Sequence, residues 1–496
     1  MSLVRRLAPA LRHLPGARGA AAAFVAERAA LGTGPASART ERTIDRLLAE
    51  ADRALDGGDL EVAADLATKA QLLAFAPARL AALAPRHAPA TDDAVVAPFR
   101  RSVTGRLLHG PLPLPLPAPP PPALSSSSEP AAGHDGPLRL LVVAYRNLTF
   151  IERVLVPLRA RDDVTVQVLD LEDLDLAATL REGPLTAARL RAARDGRRLA
   201  PPPALAEALA ACDAVLVEWG HRTLAYMSLL EGVGAAAHGV PLLTRVHRYE
   251  LDTPYIHLVD TARVDDWIFI AGHIARRVRH QLGLAEDRVH LVPNVGDLDR
   301  FAAAKEAGAE RVLVHDGWAR PRKDAGFALD VLEALHADDP SWRLLLLGPP
   351  PGTTGTDDAV RAARALRERV AALGDAVVPL GQRDDMDAVL ARAGFVLSTS
   401  RSEGSHELVA EAAAAACVPV VRDWPDDVAY GGAASVYPGP WVVADREEAV
   451  ARIRALADPA ARTSAGREAR ERILADRDPG RVIEEFLRVV RATAAR

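Results

Sequence analysis

The sequence predicts an α/β protein of two Rossmann-like domains preceded by a small α-helical segment. Three observations carry that prediction. From residue 138 onward, short continuous apolar runs alternate with helical stretches. The runs fall into two successive series. A stretch dense in proline and serine, residues 111–136, separates both series from what precedes them. Strands that are apolar throughout are buried on both faces, which means parallel sheet covered by helices.

The elements follow in order. Residues 1–40 read as a poorly ordered leader. The stretch is basic with a short Ala-rich run, and Pro15 and Arg18 break it too early for a signal peptide. Residues 41–110 read as a helical accessory segment. TERTIDRLLAEADRALDGG has apolar spacing near the helical period, with Thr40 or Thr43 as candidate caps. Gly57-Gly58-Asp59 breaks the helix and LEVAADLATKAQLLAF resumes it. The hairpin resembles one tetratricopeptide-like unit, but no repeat at a fixed period follows. Residues 111–136 are a linker, stiff where proline dominates and flexible where serine does. The first sheet domain spans 137–300, with runs LRLLVVA, VTVQVLD, DAVLVEW, PLLTRVH and WIFIA. The second spans 301–478, with RVLVHDG, RLLLLG, AVVPLG, GFVLSTS and VPVVRD. A C-terminal helix, 479–496, closes the chain. Open α/β sheets bind ligands beyond the C-terminal ends of their strands, so two facing domains place those ends on a shared cleft.

Composition narrows the function. The chain has 496 residues and a net charge of -5, which gives no electrostatic case for nucleic acid. Two cysteines, Cys212 and Cys417, offer neither a disulfide framework nor zinc spacing. No apolar run reaches membrane-spanning length. The expected location is cytoplasmic, at most peripheral to a membrane, and the N-terminal helices are the candidate contact for a membrane surface or a protein partner. Only three lysines occur, Lys69, Lys305 and Lys323, so one at a meaningful position stands out.

The segment RSEGSHELVAEAAAAACVPVV carries the most chemistry. A strand ends near Ser400, a polar loop holds Glu403, and a helix starting near Glu407 carries Glu411. Backbone N–H groups from Gly404 to Glu407 would form an anion site at a helix start, and a carboxylate nearby accepts from vicinal sugar hydroxyls. Spacing alone does not separate this from ordinary helix-start glutamates. His247 ends the run PLLTRVH, as a cleft-facing residue or as a structural histidine partnered by Glu250. Asp384, Asp385 and Asp387 fit a helix start, with Asp385 as N-cap, better than a metal site; no metal ligand is assigned.

The Glu403-to-Glu411 arrangement resembles the donor signature of retaining GT-B glycosyltransferases, the family 4-like group also called glycosyl transferases group 1. FIAGHIARRVRHQLGLAEDRVHLVPNVGDLDRF, HDGWARPRKDAGFALDVLEAL and LGQRDDMDAVLARAGFVLSTS resemble that family's other segments, in its order, over about 265–425. The resemblance implies Glu403 on the donor-sugar hydroxyls, Glu411 on the ribose and Lys323 on the diphosphate. Trp318 stands where the family has an arginine, which leaves Arg320 or Arg322 as its replacement. Ser405 and His406 stand where an aromatic follows Glu-Gly, so they and Gly404 join the candidate donor contacts. His247 resembles the family's acceptor-side histidine, and with Glu403 it forms the implied catalytic set.

The expected function is transfer of a sugar from a nucleoside-diphosphate sugar, with retention, to a glycan, a lipid-linked or a small-molecule acceptor. The nucleotide sugar is a co-substrate and no cofactor is required. Two alternatives stand beside it: a sugar-nucleotide epimerase or hydrolase on the same fold, and a non-catalytic scaffold that binds a partner.

Overall fold

The computed structural model describes residues 16–31, 38–83, 86–110, 136–234, 239–302, 304–355 and 357–496. The linker reading, 111–136, falls almost wholly outside them, as do the first fifteen residues of the leader. The chain divides into two compact units. One runs to Ile270 and takes in Ile274–Val292 and Ile483–Arg496; the other comprises Ala271–His273 and Pro293–Val482.

The first unit holds a parallel sheet of β1 (Leu138–Ala144), β2 (Val164–Asp170), β3 (Ala214–Glu218), β4 (Leu242–Val246), β5 (Asp266–Phe269) and β6 (Val289–Leu291). Its order is β2-β1-β3-β4-β5-β6. The second unit holds β7 (Val312–Asp316), β8 (Arg343–Leu347), β9 (Val377–Gly381), β10 (Phe395–Ser398), β11 (Val418–Arg422) and β12 (Val442–Val443), in the order β12-β11-β10-β7-β8-β9. All ten apolar runs are strands. The two strands absent from the sequence reading, β6 and β12, are the short edges, three and two residues long.

In the central strands alternation is hidden in the sequence because both faces are covered. In the second unit Val314, Leu345 and Val396 point into one core layer, with Val409 and Trp424. Their chain neighbours Leu313, Leu344, Phe395 and Leu397 point into the other, with Leu332 and Trp342. Successive strand side chains alternate as always, but both destinations are apolar. The order reverses at the β1/β3 pair in one sheet and at the β7/β10 pair in the other. At such a switch point the flanking loops part and leave a crevice.

The N-terminal segment is helical, and helices Ala38–Asp56 and Leu60–Ala74 form the expected hairpin. Asp59 caps the second helix, accepting from Val62 N at 3.1 Å. Thr40 and Thr43 do not cap the first. Both lie inside it, Thr40 donating to Glu27 and Thr43 back to the Arg39 carbonyl. Part of the leader is ordered too: Gly16–Leu31 is a helix whose small residues Gly19, Ala20, Ala22 and Ala23 are buried. Small side chains let a helix backbone approach its neighbours closely, which composition alone does not reveal. Buried polar bonds tie the segment into the first unit. Thr186 donates to Gln71, Arg189 to the Leu108 carbonyl at 2.9 Å, and Arg277 to both Asp92 carboxylate oxygens at 2.9 Å. The last helix, Pro479–Ala494, also reaches the first unit, where Thr493 donates to Asp266 at 2.6 Å.

Candidate functional site

In the second unit, two loops leave the switch point. The first follows β7. Gly317 turns the chain at φ 71°, a short 3-10 turn, Pro321–Lys323, follows, and the helix Ala325–Asp338 begins. Glycine is needed at 317 on two counts. Its backbone is left-handed, and an added Cβ would lie 3.1 Å from the Lys323 side chain. The second loop follows β10 and carries residues 399–406 into the helix Glu407–Ala414. Thr399 donates to the Lys323 carbonyl at 2.7 Å, and Arg401 N to the Arg322 carbonyl at 2.7 Å. These bonds fasten one loop to the other.

A charged cage results. The Lys323 ammonium lies 2.9 Å from Glu403 Oε1 and 3.1 Å from Asp316 Oδ1. Arg322 Nη1 lies 2.7 Å from Glu403 Oε2, and Ser400 donates to Oε1 at 2.8 Å. His406 sits at the N-cap of the helix in a left-handed conformation, φ 41°, without capping it. Its ring turns inward instead. Nε2 lies 2.7 Å from Asp316 Oδ1 and 2.9 Å from Lys323 Nζ, and Nδ1 lies 2.6 Å from the Ser398 hydroxyl. The helix N-terminus therefore keeps N–H groups that no cap side chain takes.

Electrostatics in the cage are settled by the charges rather than by burial. Burial pushes the Glu403 and Asp316 carboxyls up. The charges outweigh it: His406, Lys323 and Arg322 around Glu403, and His406 and Lys323 beside Asp316, hold both well below the usual carboxylate range. Behind them His315 donates from Nδ1 to the Leu397 carbonyl at 3.0 Å, and burial lowers its ring to about 4.

The expected donor residues are gathered only in part. Lys323, Arg322, Glu403 and His406 meet. Gly404 and Ser405 adjoin them, and Asn294 donates to Ser405 Oγ at 3.2 Å. Arg320 is exposed, so of the two arginines the structure brings Arg322 to the cage. Glu411 lies one turn along the helix, with its carboxylate 4.0 Å from Arg300. Trp318 is buried and donates to the Gly348 carbonyl at 3.0 Å, a packing role. Asp385 occupies an N-cap position, but its carboxylate accepts from Arg383 and caps nothing. Asp316, Ser398 and His273 were not singled out from sequence. His273 Nε2 donates to the Glu403 carbonyl at 2.9 Å. The signal for Asp316 was a charged residue closing an apolar strand just before a glycine.

In the first unit, His247 follows β4 and is buried, not open at a cleft face. Its Nε2 lies 2.9 Å from Glu218 Oε1, which Arg245 also contacts at 2.8 Å. Glu250 accepts from the His247 backbone N–H at 3.0 Å, so the ring's partner is Glu218 and not Glu250. Trp219 stacks on the imidazole with ring centroids 4.1 Å apart, and Phe150 lies 5.3 Å away. Nδ1 is buried without a hydrogen-bond partner.

With this geometry in hand, comparison with known proteins is informative. The sequence profile of the family "Glycosyl transferases group 1" matches residues 310–458, which contain the whole cage except its Asn294 and His273 contacts. A GDP-mannose:cellobiosyl-diphosphopolyprenol alpha-mannosyltransferase of Xanthomonas campestris is 28% identical over 176 residues, 35% of this chain. The match spans 43% of that relative's length. Among solved structures, an alpha,alpha-trehalose-phosphate synthase (UDP-forming) from Burkholderia vietnamiensis superposes with TM-score 0.51 at 16% identity, covering 73% of this chain and 98% of that one. A glycosyltransferase from Rickettsia africae gives 0.51 at 10% identity, covering 72% and 98%. These likenesses establish the fold.

Proposed function

The second sheet domain being that of a group 1 glycosyltransferase, we propose that the chain transfers a sugar from a nucleoside-diphosphate sugar to a hydroxyl acceptor. The observation that carries this reading is the cage of Lys323, Arg322, Glu403, Asp316 and His406 at the switch point of the second sheet. A diphosphate needs fixed positive charge and free N–H donors, and a sugar needs a carboxylate for its hydroxyls. The cage supplies the positive charge and the carboxylate within one pair of loops, with the start of the helix Glu407–Ala414 beside them. Lys323 and Arg322 exchange Glu403 for the phosphates, and the freed carboxylate takes the donor hydroxyls. Glu411 takes the ribose.

Transfer breaks the bond from the sugar C1 to the diphosphate oxygen and forms one from C1 to the acceptor oxygen. The acceptor proton passes to the departing phosphate. Positive groups that meet charge as it develops on the leaving oxygen lower the barrier. Retention is the outcome that the resemblance implies, with attack on the face the diphosphate leaves. The acceptor belongs to the first sheet domain, at the crevice beside His247.

The test is a screen of UDP- and GDP-sugars by thermal shift, followed by turnover of the best donor in Lys323→Ala and Glu411→Ala. Both variants should fold and lose donor turnover. Full activity in both would remove the site assignment. The anomeric configuration of the product, read by NMR, decides retention.

A further inference from the structure

The crevice of the first sheet opens between the ends of β1 and β3, and the residue directly after β3 is Trp219. We propose that Trp219 is a stacking platform for a pyranose ring, and so the residue that receives a sugar acceptor. This rests on the glycosyltransferase reading for the word acceptor, though not for the sugar site itself.

Four observations converge on it. Trp219 stands at the switch point, where open α/β sheets bind their ligands. Its backbone is left-handed at φ 71°, a conformation that bulky residues rarely adopt and that clusters at binding sites. The indole is fixed in place, donating from Nε1 to the Asn147 carbonyl at 3.1 Å and stacking on His247. It is also the half-buried member of the six tryptophans; Trp267, Trp318, Trp342, Trp424 and Trp441 are all core residues. A large aromatic retained at a partly open position, on a strained backbone, serves poorly as packing.

The chemistry selects the ligand. The face of an indole is negative, and the C–H groups on one face of a pyranose are slightly positive, so the two stack. The remaining hydroxyls of such a ring need polar partners. Exposed Arg146 and Asn147 lie at the end of β1 beside the indole, whose other face is covered by the buried His247 ring. An aromatic wall with a few convergent polar groups is the usual make-up of a small-molecule site.

Because Trp219 is the accessible tryptophan, the test can read it directly. Acrylamide quenching of tryptophan fluorescence is measured on the full chain. The probes are the methyl α- and β-pyranosides of glucose, mannose and galactose, with glycerol as a polyol that has no ring. At least one glycoside should lower the quenching constant about twofold while glycerol leaves it unchanged, since a stacked ring shields the one half-buried indole. Trp219→Phe keeps a ring and should retain the glycoside while losing the fluorescence change. Trp219→Gly relieves the left-handed backbone and should bind that glycoside about tenfold more weakly, the loss of one aromatic stack. Thermal shift by UDP and GDP is recorded on the same proteins. Sugar shielding without any nucleotide binding would keep the platform and remove the transferase reading. Nucleotide binding with no glycoside shielding Trp219, or with Trp219→Gly binding as tightly as the unaltered chain, would overturn the platform.

Discussion

The two switch points are built on the same plan and filled with opposite chemistry. In the second sheet, charge meets charge: Lys323 and Arg322 face Glu403 and Asp316 inside a shell of hydrogen bonds. In the first sheet, aromatic rings cover one carboxylate–histidine pair, with Phe150 and Trp219 over His247 and Glu218. A diphosphate carries its affinity in charge, which a preformed ionic cage supplies. A sugar acceptor carries it in C–H faces and hydroxyls, which rings and a few acceptors supply. Under the proposed function the same topology positions either kind of ligand, and the side chains after the strands decide which.

The largest effect expected from breaking this contrast is at Lys323. Lys323→Ala removes the cation proposed to meet the leaving diphosphate and should lower kcat about 10²–10³-fold, as loss of one preorganised charge partner does. Stopped turnover assays against the best donor read this. Unchanged kcat would show that Arg322 alone carries the charge.

Acid should weaken both units together. Burial holds His257, in the first unit, and His315, in the second, at about 4. Below about pH 6.5 the unfolded chain binds a proton at each, and the folded chain does not until about pH 4. Stability is therefore lost as pH falls across that window, up to about 3 kcal/mol for each histidine. Calorimetry between those limits measures it, and His257→Asn should flatten only the first unit's part. Glu403 acts in another range. Its depressed carboxyl stabilises the fold above the usual carboxylate value near 4.5 and loses that contribution only in stronger acid.

Smaller effects sharpen the geometry. Glu411→Ala deletes a charged acceptor and should weaken nucleotide binding by about 1.5–3 kcal/mol, read by calorimetric titration with UDP and GDP. Gly317→Ala forces a Cβ into a left-handed position against Lys323 and should cost about 1–2 kcal/mol in stability. A thermal melt with no change would show that the turn relaxes around the methyl group.

Much of this was legible beforehand, and particular residues show why. The central strands announced themselves because a parallel strand covered on both faces is apolar nearly throughout, and β2 by its alternation of apolar residues with the exposed Thr165 and Gln167. β6 and β12 did not, because two or three residues leave no pattern. Lys323 and Glu403 stood out by rarity and by resemblance. Asp316, 87 residues from Glu403 along the chain, did not, since nothing local links one carboxylate to another. His247 was singled out, with the near neighbour Glu250 as its partner in one of two readings, whereas β3 lies beside β4 and brings Glu218 to the ring.

Composition and local pattern determined the two sheets and the helical hairpin, while the resemblance, not the pattern, pointed to the loops after β7 and β10 as the expected place for donor chemistry. The sheets and the hairpin follow from hydrophobic burial and backbone geometry, which act over a few residues. Strand order alone decided that β7 lies beside β10 and β1 beside β3. It thereby decided which distant side chains meet: Lys323 with Glu403 and His406, and Trp219 with His247. Such pairings depend on through-space distance, and a linear sequence does not carry it.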